Sequence, residues 1–181
     1  ADADAGGAVD GRALGDAVHA LLERLPAIAP AERAAAAHAI ASDALGAQAA
    51  ELALRVLAAP EAGWIFGPDS LAEVDLSAEL AALGGGAILG RVDRLIVAPQ
   101  TVTAVDLKTN AQVPPHAQAV PEGILRQMGA YQAALERVFP DRRVDVALLW
   151  AGAADPAHML MRLPRDLVLA ALRRAGAVVA R

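Results

Sequence analysis

Three residues in this chain are of a type and spacing to do chemistry together: Asp93, Asp106 and Lys108. Asp106-Leu107-Lys108 ends a run from Thr101 to Lys108 that is rich in Val and Thr and reads as a strand. Side chains alternate along a strand, so Asp106 and Lys108 share one face while Leu107 turns to the core. The run before it, Ala87 to Val97, reads as a second strand, joined through Ala98-Pro99-Gln100 in a hairpin. Pairing Ala98 with Thr101, or Val97 with Val102, sets Asp93 directly opposite Asp106. Such opposed residues have Cβ atoms about 4.5–5.5 Å apart. Two carboxylates that close repel unless a proton or a cation sits between them. A hard divalent ion, Mg²⁺ or Mn²⁺, is the natural occupant because it takes oxygen ligands and keeps several waters. The same register sets Arg91 opposite Lys108, a like-charge pair that calls for an anion. One face of the hairpin therefore offers two acids and two cations, which suits a metal ion plus a phosphate. An Asp-x-Lys triplet alone is common by chance, and a solvated hairpin would account for it; the opposed Asp93 shifts the balance.

Gln127 and Tyr131 are four apart in the next helical stretch and so stack on one face. An amide and a phenol aimed the same way suit a phosphate or a base. Tyr131 also belongs to an apolar stripe, and a core role explains it equally well. His19 lies one residue past Val18 on the apolar arc of the first helix, where it can reach a sheet packed against that helix. A single histidine in such a place is more often a satisfied core residue than a ligand. His38, His116 and His158 have no motif around them.

The elements that must position these groups follow from periodicity and breakers. Residues 1 to 10 read as a disordered lead-in, with Asp10 capping a helix from Gly11 to Leu25 whose apolar positions are Leu14, Val18, Leu21, Leu22 and Leu25. Pro26 and Pro30 close it. Two alanine-rich helices, 31 to 45 and 47 to 59, break near Gly46 and stop at Pro60. Trp64-Ile65-Phe66 and Glu73-Val74-Asp75-Leu76 suit strands, and Gly84-Gly85-Gly86 suits a turn. A loop with three prolines, 111 to 121, precedes a helix from Pro121 to Phe139 with Ile124, Met128, Tyr131, Leu135 and Val138 on one stripe. Strands follow at Val144 to Trp150 and His158 to Leu163, then a helix from Pro164 to Val179. The order predicts an α/β (α+β) fold, a mixed sheet flanked by helices. It predicts one domain over 11–181, helical over 11–60 and sheet-centred over 61–181.

Composition narrows the classes. The 181 residues carry 16 Lys+Arg against 21 Asp+Glu, a net charge of −5. Hydrophobic residues make up 56% but aromatics only 3%, and the excess is alanine, which points to helices rather than lipid. No run is long and apolar enough for a transmembrane span, and the apolar content is too high for a disordered chain. With no cysteine there is no disulfide framework, thiolate zinc site or cysteine nucleophile. The acidic balance argues against simple electrostatic capture of nucleic acid, so a nucleic-acid enzyme of this charge needs a metal or a partner to bring the strand in. No signal peptide is read at the N-terminus. A chain that opens on Ala1 is expected to be a piece of a larger protein.

Four motifs in order then resemble a known family: Gly15-x3-His19, Gly90-Arg91-Val92-Asp93-Arg94-Leu95, Val105-Asp106-Leu107-Lys108-Thr109-Asn110 and Gln127-x3-Tyr131. They are similar to the motifs of RecB-type nuclease domains of the PD-(D/E)xK superfamily. The likeness is strongest to the C-terminal nuclease domain of AddA-type double-strand-break repair helicase–nucleases, with Leu125-Arg126-Gln127-Met128 and Ala147-Leu148-Leu149-Trp150 adding to it. It covers about Gly11 to Leu167. The resemblance implies a restriction-endonuclease-like core with an N-terminal helical segment. It implies a Mg²⁺-dependent deoxyribonuclease, with Mn²⁺ able to substitute. His19, Asp93, Asp106 and the backbone carbonyl of Leu107 would ligate the metal, and Lys108 would orient the attacking water and stabilise charge on the scissile phosphate. Gln127 and Tyr131 would brace the site and contact nucleic acid. In other branches of the superfamily an earlier glutamate joins the site, and Glu73 is the candidate, against the equally good reading of a surface strand charge. The implied partners are single-stranded DNA, helicase domains of the same polypeptide and a second helicase–nuclease subunit, with no membrane and a cytoplasmic place of work. The iron–sulfur variants of the family need cysteines and are excluded. Two other readings stand beside this one: the same fold kept as an inactive DNA- or protein-binding scaffold, and an unrelated small acidic protein in which the motifs coincide.

Overall fold

The structure, a computed structural model, describes residues 3–41, 43–80 and 86–179; side chains are described for 11–41, 43–79 and 89–175. The elements run α1 (Ala3–Arg24), α2 (Arg33–Ile40), α3 (Ala44–Ala58), β1 (Ser70–Leu80), β2 (Gly86–Val97), β3 (Thr101–Lys108), α4 (Glu122–Val138), β4 (Arg143–Trp150), β5 (Leu160–Leu163) and α5 (Arg165–Val179). The five strands form one sheet in the order β1-β2-β3-β4-β5. β1, β2 and β3 are antiparallel neighbours. The Arg143 amide donates to the Gln100 carbonyl and the Ala151 amide to the Lys108 carbonyl, so β4 runs parallel to β3. The α4 crossover makes that geometry possible, because parallel strands need a long connection. The sheet is mixed and flanked by helices, as the element order predicts.

The chain divides into two compact units. The first comprises Ala1–Gly67, Leu107–Val113 and Leu149–Leu160. Here α1 packs on α3, burying Val18, Leu21, Leu22 and Leu25 on one side and Ala49, Ala50, Ala53 and Val56 on the other. The methyl-sized residues of α3 let the two helices approach closely. Arg33 ties the α1–α2 turn by donating Nε to the carbonyls of Leu25 and Ile28, at 3.1 and 3.0 Å. α1 begins at Ala3, ahead of the expected cap at Asp10, so residues read as a lead-in lie inside a helix. Ala3, Ala5 and Ala8 favour the helix, while Gly6 and Gly7 oppose it and mask the extension in the sequence pattern. The α2–α3 break falls at Asp43, not Gly46: the Asp43 carboxylate caps α3 by accepting from the Gly46 amide at 2.7 Å. Trp64-Ile65-Phe66 is a 3-10 helix, not a strand. Its apolar run is too short for periodicity to tell the two apart, and Gly63 and Gly67 bound it. Of the expected turn at Gly84-Gly85-Gly86, Gly84 and Gly85 lie outside the described residues and Gly86 opens β2.

The second unit comprises Pro68–Asp106, Pro114–Leu148 and Met161–Arg181. Here α4 packs against α5, β1 and β2. Two ion pairs fix α4 and α5 antiparallel. Glu122 at the start of α4 takes Arg174 late in α5 at 2.9 and 3.0 Å, and Glu136 late in α4 takes Arg165 at the start of α5 at 2.6 and 3.0 Å. Between them Gly129 sits so close to the α5 backbone that a Cβ there would collide with the Val168 carbonyl oxygen and lie 3.1 Å from Leu172 Cβ. Gly129→Ala is therefore expected to force α4 and α5 apart, costing about 1–3 kcal/mol, read as a lower urea midpoint at unchanged slope.

The Arg165 hydrogen bond holds the Glu136 carboxyl below the usual carboxylate range. A depressed native pKa means the pair stabilises the fold above the unfolded-state pKa and loses that effect as pH falls through the folded value. Because both side chains are partly exposed, the contribution is about 0.5–1 kcal/mol. Glu136→Gln should be less stable than wild type at about pH 7, with the difference shrinking as pH falls below the ordinary carboxylate range, in chemical unfolding curves.

Candidate active site

The central feature lies in the second unit and is set by strand register. β1 pairs with β2 so that Ala72 faces Arg94 and Val74 faces Val92, which leaves Glu73 across from Asp93. β2 pairs with β3 so that Arg94 faces Val105, and one further step along each strand brings Asp93 and Asp106 into the same row. Ala98, Pro99 and Gln100 link these two strands, with the Ala98 amide donating to the Thr101 carbonyl at 2.9 Å. The hairpin register is the one the sequence predicts.

A transverse row of three acids thus crosses three adjacent strands. The carboxylate oxygens of Glu73 and Asp93 lie within 4.8 Å of each other. Asp106 is buried, with 4% exposure, while Glu73 and Asp93 are half-buried. Glu73 has φ 51°, the left-handed region. A non-glycine residue held there costs about 1–3 kcal/mol and persists where surrounding structure imposes it. The sequence motif at Asp93 and Asp106 gives no sign of that strain. The carboxylate oxygens of Glu73 and Asp93 are hard, anionic donors of the kind a divalent cation such as Mg²⁺ or Mn²⁺ takes.

The row is held from behind by α4. The Tyr131 hydroxyl donates to the Arg91 carbonyl on β2 at 2.6 Å and accepts from Gln127 Nε2 at 3.0 Å. Gly90 makes room for the ring, since a Cβ there would sit 2.9 Å from Tyr131 Cε1. Tyr131 is buried, with 3% exposure. Burial raises its pKa, the Gln127 hydrogen bond opposes that, and the charges of Asp106 and Asp93 add to it. The phenol therefore keeps its proton and remains a donor to β2. Gln127 and Tyr131 are a brace for the strand that carries Asp93.

The remaining predicted residues belong to the first unit. Leu107 is buried, as alternation requires, and Lys108 is half-buried at the end of β3, where its carbonyl accepts the Ala151 amide at 2.7 Å. The chain just beyond is held close by Gly152, where a Cβ would come within 2.6 Å of the Asn110 carbonyl oxygen. His19 is half-buried on α1, one helical turn past Gly15, itself near the Thr109 hydroxyl. Arg94, which sequence reasoning did not single out, is a buried cation at 5% exposure next to Asp93.

A family model described as the PD-(D/E)XK nuclease superfamily matches residues 3–163. The chain belongs to that superfamily. No curated protein matched it. Among the described residues no helix is long and apolar enough to cross a membrane.

The Tyr131–Gly90 contact yields a coupled prediction. Tyr131→Phe removes the hydrogen bond to β2, and Gly90→Ala pushes the ring off the strand, each costing about 1–2 kcal/mol. Because both act through one contact, the double variant should be less destabilised than the sum by at least about 0.5 kcal/mol in a double-mutant cycle.

Proposed function

We propose that this chain is a divalent-metal-dependent deoxyribonuclease domain that hydrolyses phosphodiester bonds. The observation that carries this reading is the row Glu73, Asp93 and Asp106, with Lys108 two residues past the buried acid. Glu73, Asp93 and Asp106 would hold the ion, with Mg²⁺ as the working metal and Mn²⁺ as substitute. His19 is proposed to add an imidazole, and the Leu107 carbonyl a neutral oxygen. A bound ion would lower the pKa of its water and neutralise charge developing on the phosphate. Lys108, two residues past Asp106 on β3, would orient the attacking water and stabilise the non-bridging oxygens. Gln127 and Tyr131 hold β2 in register so that Asp93 stays in the row.

The net charge of −5 supports a strand delivered by something else. By its likeness to the nuclease domain of AddA-type helicase–nucleases, we propose that the chain cuts single strands fed to it by linked helicase domains. It would act with a second helicase–nuclease subunit in double-strand-break repair and recombination in the cytoplasm.

The purified chain with Mg²⁺ should cut a single-stranded oligonucleotide, and chelator should stop it. Asp106→Asn and Lys108→Ala should each lower the rate by about 100-fold or more, with far-ultraviolet circular dichroism unchanged. Mn²⁺ should raise the melting temperature of wild type but not of Asp106→Asn. Cleavage that survives both substitutions would remove Asp106 and Lys108 from the mechanism, and a wild type that neither cuts with Mg²⁺ nor shifts with Mn²⁺ would remove the nuclease assignment.

A further inference from the structure

Arg91 lies on β2 two residues before Asp93, so the two side chains share a face. Its backbone is pinned by the Tyr131 hydroxyl on its carbonyl. Its side chain is 59% exposed, and its guanidinium meets Glu73 and Asp75. Nε donates to Asp75 Oδ1 at 2.9 Å, and the NH1 end stands 3.7 Å from Glu73 Oε2. Asp75 is itself well exposed, so it can keep Nε as a pivot while the outer nitrogens turn. Glu73 is the acid that the ion reading also needs. A doubly charged cation on that carboxylate repels a guanidinium at such a distance and outcompetes it. The planar fork of arginine matches the oxygens of a phosphate.

We propose that Arg91 is an ion-responsive phosphate clamp: it neutralises Glu73 until a divalent ion takes that carboxylate, and its guanidinium then passes to a phosphate of the bound strand. The proposal rests on Glu73 and Asp93 being ion ligands. It gives Arg91 two effects of opposite sign. Without DNA the guanidinium competes with the ion. With DNA it binds alongside the ion and strengthens the complex.

The test is calorimetry with Mn²⁺ on the whole chain, followed by oligonucleotide binding as a function of salt. Without DNA, Arg91→Ala should bind Mn²⁺ about three- to fivefold more tightly than wild type, the size expected for removing an exposed ion pair. Oligonucleotide binding is then measured in a Lys108→Ala background, which blocks cleavage. With Mn²⁺ present, Arg91→Ala should weaken binding and make the slope of log affinity against log salt shallower by about 0.7, one phosphate contact on a single strand. In chelator the two slopes should agree. Arg91→Lys should keep the wild-type Mn²⁺ affinity and bind DNA at an intermediate level, and Arg91→Gln serves where the alanine variant does not fold. Wild type that takes up Mn²⁺, with no gain in Arg91→Ala, overturns this proposal alone, as does a slope difference that persists in chelator. Wild type that takes up no Mn²⁺ overturns the ion reading and this proposal together.

Discussion

Mutual repulsion among carboxylates in one row of a sheet is the constraint on which the site depends. Antiparallel pairing puts directly opposed side chains close together, and like charges so placed destabilise the pairing. Glu73, Asp93 and Asp106 occupy successive strands at the same level, and Asp106 is buried there. A sheet built only for stability would place apolar or oppositely charged residues in that row. Keeping three acids there is favourable when a cation shares them. The left-handed backbone at Glu73 is a second cost concentrated at the same point.

The rest of the second unit holds that row against its own repulsion. α4 is pressed onto β1 and β2 and clamped to α5 by ion pairs near both ends, with Gly129 allowing backbone contact between them. From this platform Tyr131 reaches across the bare Cα of Gly90 to the carbonyl of Arg91, so β2 is fixed two residues from Asp93. The Gln-x3-Tyr motif thus acts mainly on the backbone of a neighbouring strand.

The legible part of the site was the part set by short-range geometry. Asp93 and Asp106 could be paired from sequence because only three residues, Ala98, Pro99 and Gln100, separate their strands, and so short a link leaves little choice of register. The helix of Gln127 and Tyr131 was readable from its apolar stripe. Glu73 could be named only by resemblance, because the segment between β1 and β2 is glycine-rich and its length does not fix a register. Trp64 to Phe66 misled because three apolar residues have no period, and the α2–α3 boundary moved because an Asp43 cap outweighs a glycine inside the first turn. The contact of Gly90 with Tyr131 joins residues far apart in sequence, and no local pattern encodes it.

An anomalous-scattering experiment on crystals soaked in Mn²⁺ tests the central claim most directly. The account predicts a peak about 2.0–2.2 Å from carboxylate oxygens of Asp93 and Asp106, with Glu73 turned toward it and Arg91 withdrawn. Well-ordered crystals at saturating Mn²⁺ with no peak in that row, and the three acids splayed apart into solvent, would contradict it.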